Sequence, residues 1–117
     1  HIGHEIHFTP HVAPFFRGIT LTVSLDLEAE RSRDELLDRL RRSYGDEPLV
    51  ELTDEIPLVR DNACEHHVAI GGLEVSDDGR HAVLVATLDN LLKGAATQAL
   101  QNLNLACDFD EWEGIPT

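Results

Sequence analysis

Apolar and polar side chains alternate along residues 19–27, ITLTVSLDL. A period of two is the pattern of a half-buried β-strand, so the odd-numbered side chains of this stretch are expected to face the core. Ser32 precedes residues 34–44, which have apolar positions at helical spacing, acids in the first turn, bases in the last turn and Gly45 beyond. These signals predict a surface helix with a defined start and end.

Two longer strands and a second helix are predicted in the second half of the chain. Residues 66–75 and 81–88 are rich in Val, Ile and Leu, and they are separated by SDDGR, whose Asp-Gly step is typical of a hairpin turn. The two strands should therefore pair antiparallel. Asp89 and Asn90 can cap a helix running from about Leu91 to Leu105, whose small residues would let another backbone approach closely.

Shorter extended stretches are predicted at residues 6–9, 48–52 and 57–59, each of which lies at or beside a proline. The order of strand, helix, short strands, hairpin and helix predicts an α+β domain with a mixed, mostly antiparallel sheet and helices on one face. A length of 117 residues fits one domain covering 1–117. A bare face of such an open sheet would suit subunit contact.

The charge balance narrows the class of partner. Acidic residues outnumber basic ones by 22 to 9, and the formal net charge of −13 disfavours attraction to nucleic acid or to anionic lipid. An anionic substrate would be repelled by the domain as a whole, so a locally basic pocket is needed and isolated cations matter. No apolar run approaches the roughly 20 residues of a membrane span, and no signal-peptide pattern opens the chain, so a cytoplasmic protein is expected.

Cysteine and histidine positions give weaker signals. Cys64 and Cys107 show no paired spacing, so two buried, reduced thiols are expected rather than a zinc site or a disulfide. His1, His4 and His7 could form a metal site but lack a cysteine and a firm spacing template, so no metal is predicted. The chain has no Met, and its first residues resemble the inside of an ordered element, so a piece of a longer protein is expected.

Three segments resemble a known family, the N-acetyl-gamma-glutamyl-phosphate reductases. Residues 8–19, FTPHVAPFFRGI, resemble the family's segment that leads into the first strand of the catalytic domain, and residues 89–104, DNLLKGAATQALQNLN, resemble its final helix. Residues 62–64, Asn-Ala-Cys, followed by Ile70-Gly71, match a weaker family pattern between them. The segments stand in the family's order, and the helix motif is the most specific.

The resemblance implies an enzyme of arginine biosynthesis that reduces an acyl phosphate to a semialdehyde with NADPH, through a cysteine thioester and with help from a histidine. It also implies the layout of aspartate-semialdehyde and glyceraldehyde-3-phosphate dehydrogenases. In that layout a Rossmann domain binds NADP, and a sheet domain shapes the substrate pocket and the contact between subunits of a homo-oligomer, a dimer or tetramer.

The catalytic segments of that family are not found in these 117 residues. The chain contains neither a Gly-Cys-Tyr-Pro-like nucleophile segment nor a Gly-x-Gly-x-x-Gly fingerprint for pyrophosphate. The family's His-x-His segment is expected upstream of His1. No catalytic residue is therefore assigned here, and the chain alone is expected to be inactive.

Four residues are candidates for binding. Arg17 carries a permanently charged fork suited to a carboxylate or phosphate, and His11 could donate a hydrogen bond to an acyl oxygen, so both are assigned to the substrate. Lys93 opposes the helix dipole in the first turn of its helix, a local cost that suggests contact with an anion shared between domains. Lys93 and the neighbouring Asn90 are assigned to the cofactor. The alternatives are a loop-holding Arg17, a structural His11 and a solvated Lys93.

Other interpretations stay open. Cys64 followed by His66 and His67 suggests a nucleophile with a base, but sequence neighbours on a strand point to opposite faces. A non-catalytic ligand-binding or interaction module of the same fold is an alternative to the reductase. A third possibility is the related lysine-pathway reductase, which uses a longer, carrier-linked acyl phosphate.

Overall fold

The computed structural model describes residues 6–116. One four-stranded sheet is formed by β1 (Ile19–Asp26), β2 (Val50–Leu52), β3 (Val68–Val75) and β4 (His81–Leu88). Helix α1 spans Arg33–Tyr44, and a π-helical turn at Leu92–Ala96 leads directly into helix α2, Thr97–Ala106. The strand order is β1-β4-β3-β2, in which β2 and β3 run parallel and the other pairs antiparallel. The predicted α+β fold with a mixed, mostly antiparallel sheet is confirmed.

The alternating strand pairs with β4 along its whole length, from Ile19 opposite Leu88 to Asp26 opposite His81. Its odd-numbered side chains share the side of the sheet on which α1 lies. Helix α1 packs over β2 and β3, however, and it leaves β1 uncovered, so that Leu21 remains 43% exposed. The expectation of a core-facing side is therefore met only in part, because the cover does not reach this edge strand.

The hairpin between β3 and β4 forms as predicted. Ser76 N–H donates to His81 O at 2.9 Å and Gly79 N–H donates to Ser76 O at 2.8 Å, which closes the turn at the Asp-Gly step. β3 begins at Val68 rather than at residue 66, and it carries an irregularity between Gly71 and Glu74. These strands place Leu88, the end of β4, next to the segment that carries the candidate residues.

Helix α1 begins with a reciprocal capping arrangement. The Ser32 side chain accepts a hydrogen bond from Glu35 N–H at 3.2 Å, and the Glu35 carboxylate accepts one from Ser32 N–H at 2.8 Å. The hydrogen bonds that the Glu35 carboxylate accepts from the Ser32 N–H and from the Ser32 hydroxyl lower the pKa of Glu35 from its ordinary value of 4.5. Because two otherwise unpaired amide groups are satisfied, the helix starts where the sequence predicts.

We expect the Ser32→Ala chain to lose about 1 kcal/mol of unfolding free energy, since alanine cannot accept the Glu35 N–H bond. Urea unfolding followed by circular dichroism measures this loss. Ser43→Ala, near the exposed end of the same helix, is the matched control and should leave the unfolding free energy within about 0.5 kcal/mol. Equal effects of the two substitutions would show that the cap contributes nothing.

Three extended or helical predictions need correction. Residues 6–18 contain no strand, because Pro10 and Pro14 supply no N–H for pairing, and residues 57–59 enter a turn closed by Asp61 N–H bonding to Leu58 O at 3.1 Å. The helix predicted at 91–105 is not uniform. Its first turn is π-helical, with Gly94 N–H reaching back five residues to Asp89 O at 2.8 Å.

Alanine supplies half of the buried apolar side chains in residues 6–116. The buried apolar residues of the described part are Leu49, Ala69, Leu73, Ala82, Ala86 and Ile115. The two most completely buried larger side chains are polar, Thr87 and Asp89. Both stand at the end of β4, so the best-protected place in this domain is a polar one.

Candidate functional site

Asp89 is the residue at which the two long motif segments meet. It directly follows β4, and its side chain has 0% exposure. Its Oδ1 accepts hydrogen bonds from Leu91 N–H (2.7 Å) and Leu92 N–H (3.0 Å), which caps the following helical segment. Its Oδ2 accepts from Cys64 N–H (2.7 Å) and lies 2.8 Å from Arg17 Nε. One carboxylate therefore holds three separate segments.

The pKa of Asp89 reflects two opposed effects. Burial alone would raise the pKa of this carboxyl group. The hydrogen bonds from the amides of Cys64, Leu91 and Leu92, together with the Arg17 guanidinium, outweigh burial and hold the pKa below its ordinary value of 3.8. Asp89 is therefore ionised at neutral pH, and the buried charge is tolerated because donors surround it.

Arg17 stands at the end of the proline-flanked loop with 27% of its side chain exposed. Its Nε makes a charge contact with Asp89 that is not an aligned hydrogen bond, and its Nη1 donates to Cys64 Sγ at 3.1 Å. Within residues 6–116 no hydrogen bond occupies its Nη2. The side chain is thus fixed along one edge, and donors remain for an anionic group.

Gly18 and Asn90 make a second link beside the first. Gly18 N–H donates to Asn90 Oδ1 at 2.7 Å. Residues 17 and 18 of the loop therefore contact residues 89 and 90 of the helical segment, one after the other. Two adjacent links fix the position of the loop relative to the helix, and the two segments quoted for the family resemblance are in direct contact.

The buried side chain of Asn62 holds the turn that carries Cys64 in place. The Asn62 amide Nδ2 donates to Thr87 Oγ1 at 2.7 Å and to Leu58 O at 3.2 Å, and Asn62 itself is buried. Cys64 adopts a φ of 72°, a left-handed conformation that is uncommon for a residue with a side chain. The hydrogen bond that the Cys64 N–H donates to Asp89 Oδ2 offsets part of this backbone strain.

Both thiols are exposed, so the prediction of two buried cysteines is wrong. Cys64 lies in the left-handed turn before β3, where its side chain is directed toward Arg17 rather than into the core. Cys107 follows the last residue of α2. Free cysteines are usually buried, and the sequence does not show that a turn places Cys64 at the surface.

Lys93 lies in the π-helical turn, where it is half-buried. Its Nζ donates to Gln101 Oε1 at 2.6 Å, and Gln101 Nε2 in turn donates to Glu111 Oε1 at 2.9 Å. Burial lowers the pKa of Lys93, while the charges of Glu111 and Glu47 act to raise it. Lys93 is therefore engaged within the chain, and it is neither a freely solvated lysine nor placed at the Arg17–Asp89 contact.

The histidines are spread over different surroundings. His11 is exposed, and within the described part of the chain no hydrogen bond or ion pair holds it near Arg17. His66 Nδ1 lies 2.8 Å from Thr97 Oγ1, and His67 Nε2 lies 3.0 Å from Glu51 Oε2. Cys64 contacts Arg17 and Asp89 instead of either histidine, so the geometry gives no support to a cysteine–histidine pair.

Neither of two cavities in the described part of the chain is lined by Arg17, Cys64 or Asp89. A cavity of about 60 Å³ between α1 and the sheet is lined largely by Leu and Ile side chains. A wider one, about 370 Å³, is bordered by Glu51, Glu55, Asp61 and Glu65. The first cavity is far smaller than the roughly 300 Å³ of an ordinary ligand pocket. The four acids of the second would repel an acyl phosphate, so neither cavity suits the anionic substrate that the sequence suggests.

Residues 6–116 hold no group of three or more His, Cys, Asp or Glu side chains arranged for a metal ion, while His1 and His4 lie outside the described residues. In the same residues, no helix combines the length and the apolar character needed to cross a bilayer.

Comparison with known families identifies the fold's relatives. The model of the "Semialdehyde dehydrogenase, dimerisation domain" family matches residues 2–90. The chain belongs to this family. The match includes the loop with Arg17, the whole sheet, Asp89 and Asn90, whereas Lys93 and α2 lie beyond it.

Two similar curated proteins carry a name that is more specific than the description of the family. Over 98% of the chain, 50% of residues are identical to N-acetyl-gamma-glutamyl-phosphate reductase of Stenotrophomonas maltophilia, and over 97% of the chain, 53% are identical to the enzyme of that name from Xanthomonas oryzae. The mitochondrial protein arg11 of Schizosaccharomyces pombe is 52% identical over 94% of the chain.

Solved structures of the same fold come from a neighbouring enzyme. Aspartate semialdehyde dehydrogenase II from Vibrio cholerae superimposes with a TM-score of 0.67 at 27% identity, covering 81% of this chain and 28% of that one. A probable aspartate-semialdehyde dehydrogenase from Pseudomonas aeruginosa gives a TM-score of 0.67 at 26% identity and the same coverage.

The chain spans only part of its relatives. It covers 36% of the two bacterial reductases and 12% of the fission yeast protein.

Sequence reasoning found the two segments of the site but missed the residue that joins them. Asp89 was predicted only as a helix cap, and it does serve in that way through Oδ1. Its other oxygen contacts Arg17 and Cys64, which stand 72 and 25 residues away in sequence. The available signal was that Asp89 directly follows a buried strand and belongs to the most specific motif.

Proposed function

We propose that the chain is the substrate-side and subunit-contact domain of an N-acetyl-gamma-glutamyl-phosphate reductase of arginine biosynthesis. The whole enzyme reduces N-acetylglutamyl phosphate to N-acetylglutamate semialdehyde with NADPH. The observation that carries the proposal is the double link of Arg17 with Asp89 and Gly18 with Asn90, which joins both motif segments. The identity of 50% and 53% to reductases of that name supports it.

A division of labour between domains is part of the proposal. The chain is one domain, and a Rossmann domain outside residues 1–117 binds most of NADP. The nucleophilic cysteine and the catalytic histidine also lie outside this chain. The span of 36% of the bacterial relatives is in keeping with this division. Arg17, Asn90 and Lys93 line neither of the two cavities described above, which is in keeping with a pocket that a second domain completes.

In this proposal Arg17 binds an anionic group of the acyl phosphate. Its guanidinium is fixed at Nε and Nη1, and the unoccupied Nη2 edge presents donors in a planar fork. A local cation is needed because the chain as a whole carries a net charge of −13. Exposed His11, in the same loop, adds a hydrogen-bond donor once the substrate and the second domain order the loop.

The cofactor side of the proposal rests on Asn90 and Lys93. Asn90 Oδ1 is engaged with Gly18, and no hydrogen bond within residues 6–116 uses its Nδ2, which leaves a neutral amide donor for the cofactor. Lys93 must exchange its bond with Gln101 to reach a phosphate. When bound, NADPH supplies the hydride, and Asn90 and Lys93 help to orient the cofactor.

Subunit contact and location complete the proposal. The enzyme is a homo-oligomer, a dimer or tetramer, in which this domain lies at the interface, as the description of its family suggests. Exposed apolar side chains, including Phe8, Phe16, Leu103 and Phe109, support contact with further protein. We propose a cytoplasmic enzyme with neither nucleic acid nor membrane as partner; the fission yeast relative is named mitochondrial.

The test uses the full-length protein that contains this chain. We expect it to consume NADPH with N-acetylglutamyl phosphate, and we expect the 117-residue chain alone to consume none. Arg17→Ala in the full-length protein should raise KM for the acyl phosphate about 10-fold to 100-fold, because a charge-assisted hydrogen bond contributes about 1.5–3 kcal/mol.

Arg80→Ala is the matched control for Arg17→Ala. Arg80 is an exposed arginine whose guanidinium Nη2 lies 3.8 Å from Glu30 Oε1, and its loss should leave KM unchanged. An inactive full-length protein with an intact cysteine would support the non-catalytic module instead. Turnover with only a longer, carrier-linked acyl phosphate would support the lysine-pathway reductase.

A further inference from the structure

We infer that Asp89 is a positioning residue, which presents Arg17 to the substrate anion and ties it to the helical segment that carries Asn90. This inference rests on the proposed function, in which Arg17 is the anion-binding residue. Its basis is the division of labour between the two oxygens of a single carboxylate. Oδ1 faces the helix start, and Oδ2 faces Arg17 and the turn at Cys64.

The need for positioning follows from the nature of Arg17. An arginine side chain loses roughly 2 kcal/mol of rotamer entropy when it is held in one conformation. Arg17 extends from a loop without regular structure and is 27% exposed, so its own backbone does little to restrict it. Contacts at Nε with Asp89 and at Nη1 with Cys64 restrict the fork before any ligand arrives, which lowers the cost of binding.

Asp89 can hold Arg17 without cancelling its usefulness to an anion. The carboxylate shares its charge with three backbone amides, those of Cys64, Leu91 and Leu92, and two of these lie at the start of a helical segment. The contact with Arg17 uses Nε only. The guanidinium charge is delocalised, so the far edge still offers a charge-assisted hydrogen bond.

The same carboxylate also couples the two sides of the proposed pocket. Leu91 and Leu92, whose amides donate to Oδ1, directly follow Asn90 in the sequence. Asn90 is tied back to Gly18, the residue after Arg17. The Arg17–Asp89 contact and the Gly18–Asn90 hydrogen bond therefore hold the substrate-side arginine and the cofactor-side asparagine in one fixed arrangement.

Asp89→Asn in the full-length enzyme separates the two functions of the carboxylate. Asparagine caps helices well, so its single oxygen can still accept from Leu91 and Leu92. Its NH₂ group then faces Arg17 Nε and Cys64 N–H, two donors without an acceptor. We expect KM for the acyl phosphate to rise at least 10-fold, while kcat per folded active site and KM for NADPH change by less than about 3-fold.

A double-mutant cycle distinguishes positioning from general damage to the fold. If Asp89 acts through Arg17, then Arg17→Ala/Asp89→Asn should show the KM of Arg17→Ala alone, since no positioned guanidinium remains to be lost. A merely structural Asp89 would multiply the two effects or lower kcat in both backgrounds. Asp54→Asn removes the same charge from a side chain that is 72% exposed, and it should leave both constants unchanged.

The outcomes separate this inference from the proposed function. An unchanged KM in Arg17→Ala overturns the role of Arg17 and the inference with it. A raised KM in Arg17→Ala beside a wild-type KM in Asp89→Asn overturns only the inference. If Asp89→Asn fails to fold, Arg17→Lys provides the test. A lysine can contact Asp89 or reach the anion but not both, so the KM of Arg17→Lys should approach that of Arg17→Ala. A wild-type KM in Arg17→Lys would refute the positioning role of Asp89.

Discussion

The Gly18→Ala chain is expected to lose about 3 kcal/mol or more of unfolding free energy, combining a backbone term with a packing term. Gly18 has a φ of +111°, a conformation that residues with a side chain rarely adopt. A Cβ built at Gly18 collides with the side chain of Val59. Relief of either problem moves the Gly18 amide away from Asn90 Oδ1, so one of the two links of the site is lost as well. Urea unfolding followed by circular dichroism measures the change.

Two further variants assign the loss to its causes. Gly114 also has a positive φ, +74°, but a Cβ there meets nothing within 4 Å, so Gly114→Ala measures the backbone term alone, about 1–2 kcal/mol. Adding Val59→Ala to Gly18→Ala should recover part of the loss by removing the collision. If Gly18→Ala costs no more than Gly114→Ala, then the close contact with Val59 is not a constraint on the fold.

Local patterns predicted the regular elements well because their causes are local. The capping signal at Ser32 and Glu35 and the Asp-Gly turn after Ser76 each involve groups a few residues apart, and the structure forms both. Alternation along β1 likewise predicted a strand. Such signals act through hydrogen bonds and side-chain direction within one or two turns, so the sequence alone contains them.

The packing of β1 could not be predicted in the same way. Period-two alternation identifies the apolar side of a strand but not whether another element covers it. In this domain α1 lies over β2 and β3, and Leu21 and Leu25 stay partly exposed. The extent of cover depends on where a helix crosses the sheet, which is a property of the whole fold.

The sequence predicted two residues of the site but not the contacts that join them. Arg17 and Asn90 were singled out by residue chemistry and by family resemblance, and the structure places both at the same junction. The contacts of Asp89 with Arg17 and Cys64 join residues far apart in sequence, and the left-handed turn at Cys64 has no glycine to announce it. Their roles in binding stay predictions.

Asp89 should also make the stability of the chain depend on pH. Its folded-state pKa is lower than the ordinary value of 3.8, so ionised Asp89 stabilises the fold at every pH above the unfolded value. That stability is lost as pH falls through the folded pKa, because the proton then displaces the donors around the carboxylate. We expect the unfolding free energy to fall from about pH 5 downwards, with Asp89 contributing a slope of at most about 1.4 kcal/mol per pH unit.

Asp89→Asn isolates this contribution, because asparagine does not titrate. At pH 7 the variant should be less stable than wild type by about 2 kcal/mol or more, since Arg17 and the Cys64 amide lose a charged acceptor. The gap should narrow as pH falls below about 4, where wild-type Asp89 takes up a proton. Asp54→Asn, at an exposed ion pair with Arg33, should differ from wild type by less than about 1 kcal/mol at every pH. A gap between Asp89→Asn and wild type that stays constant from pH 7 to pH 2 would mean that the donors around Asp89 do not favour its ionised form.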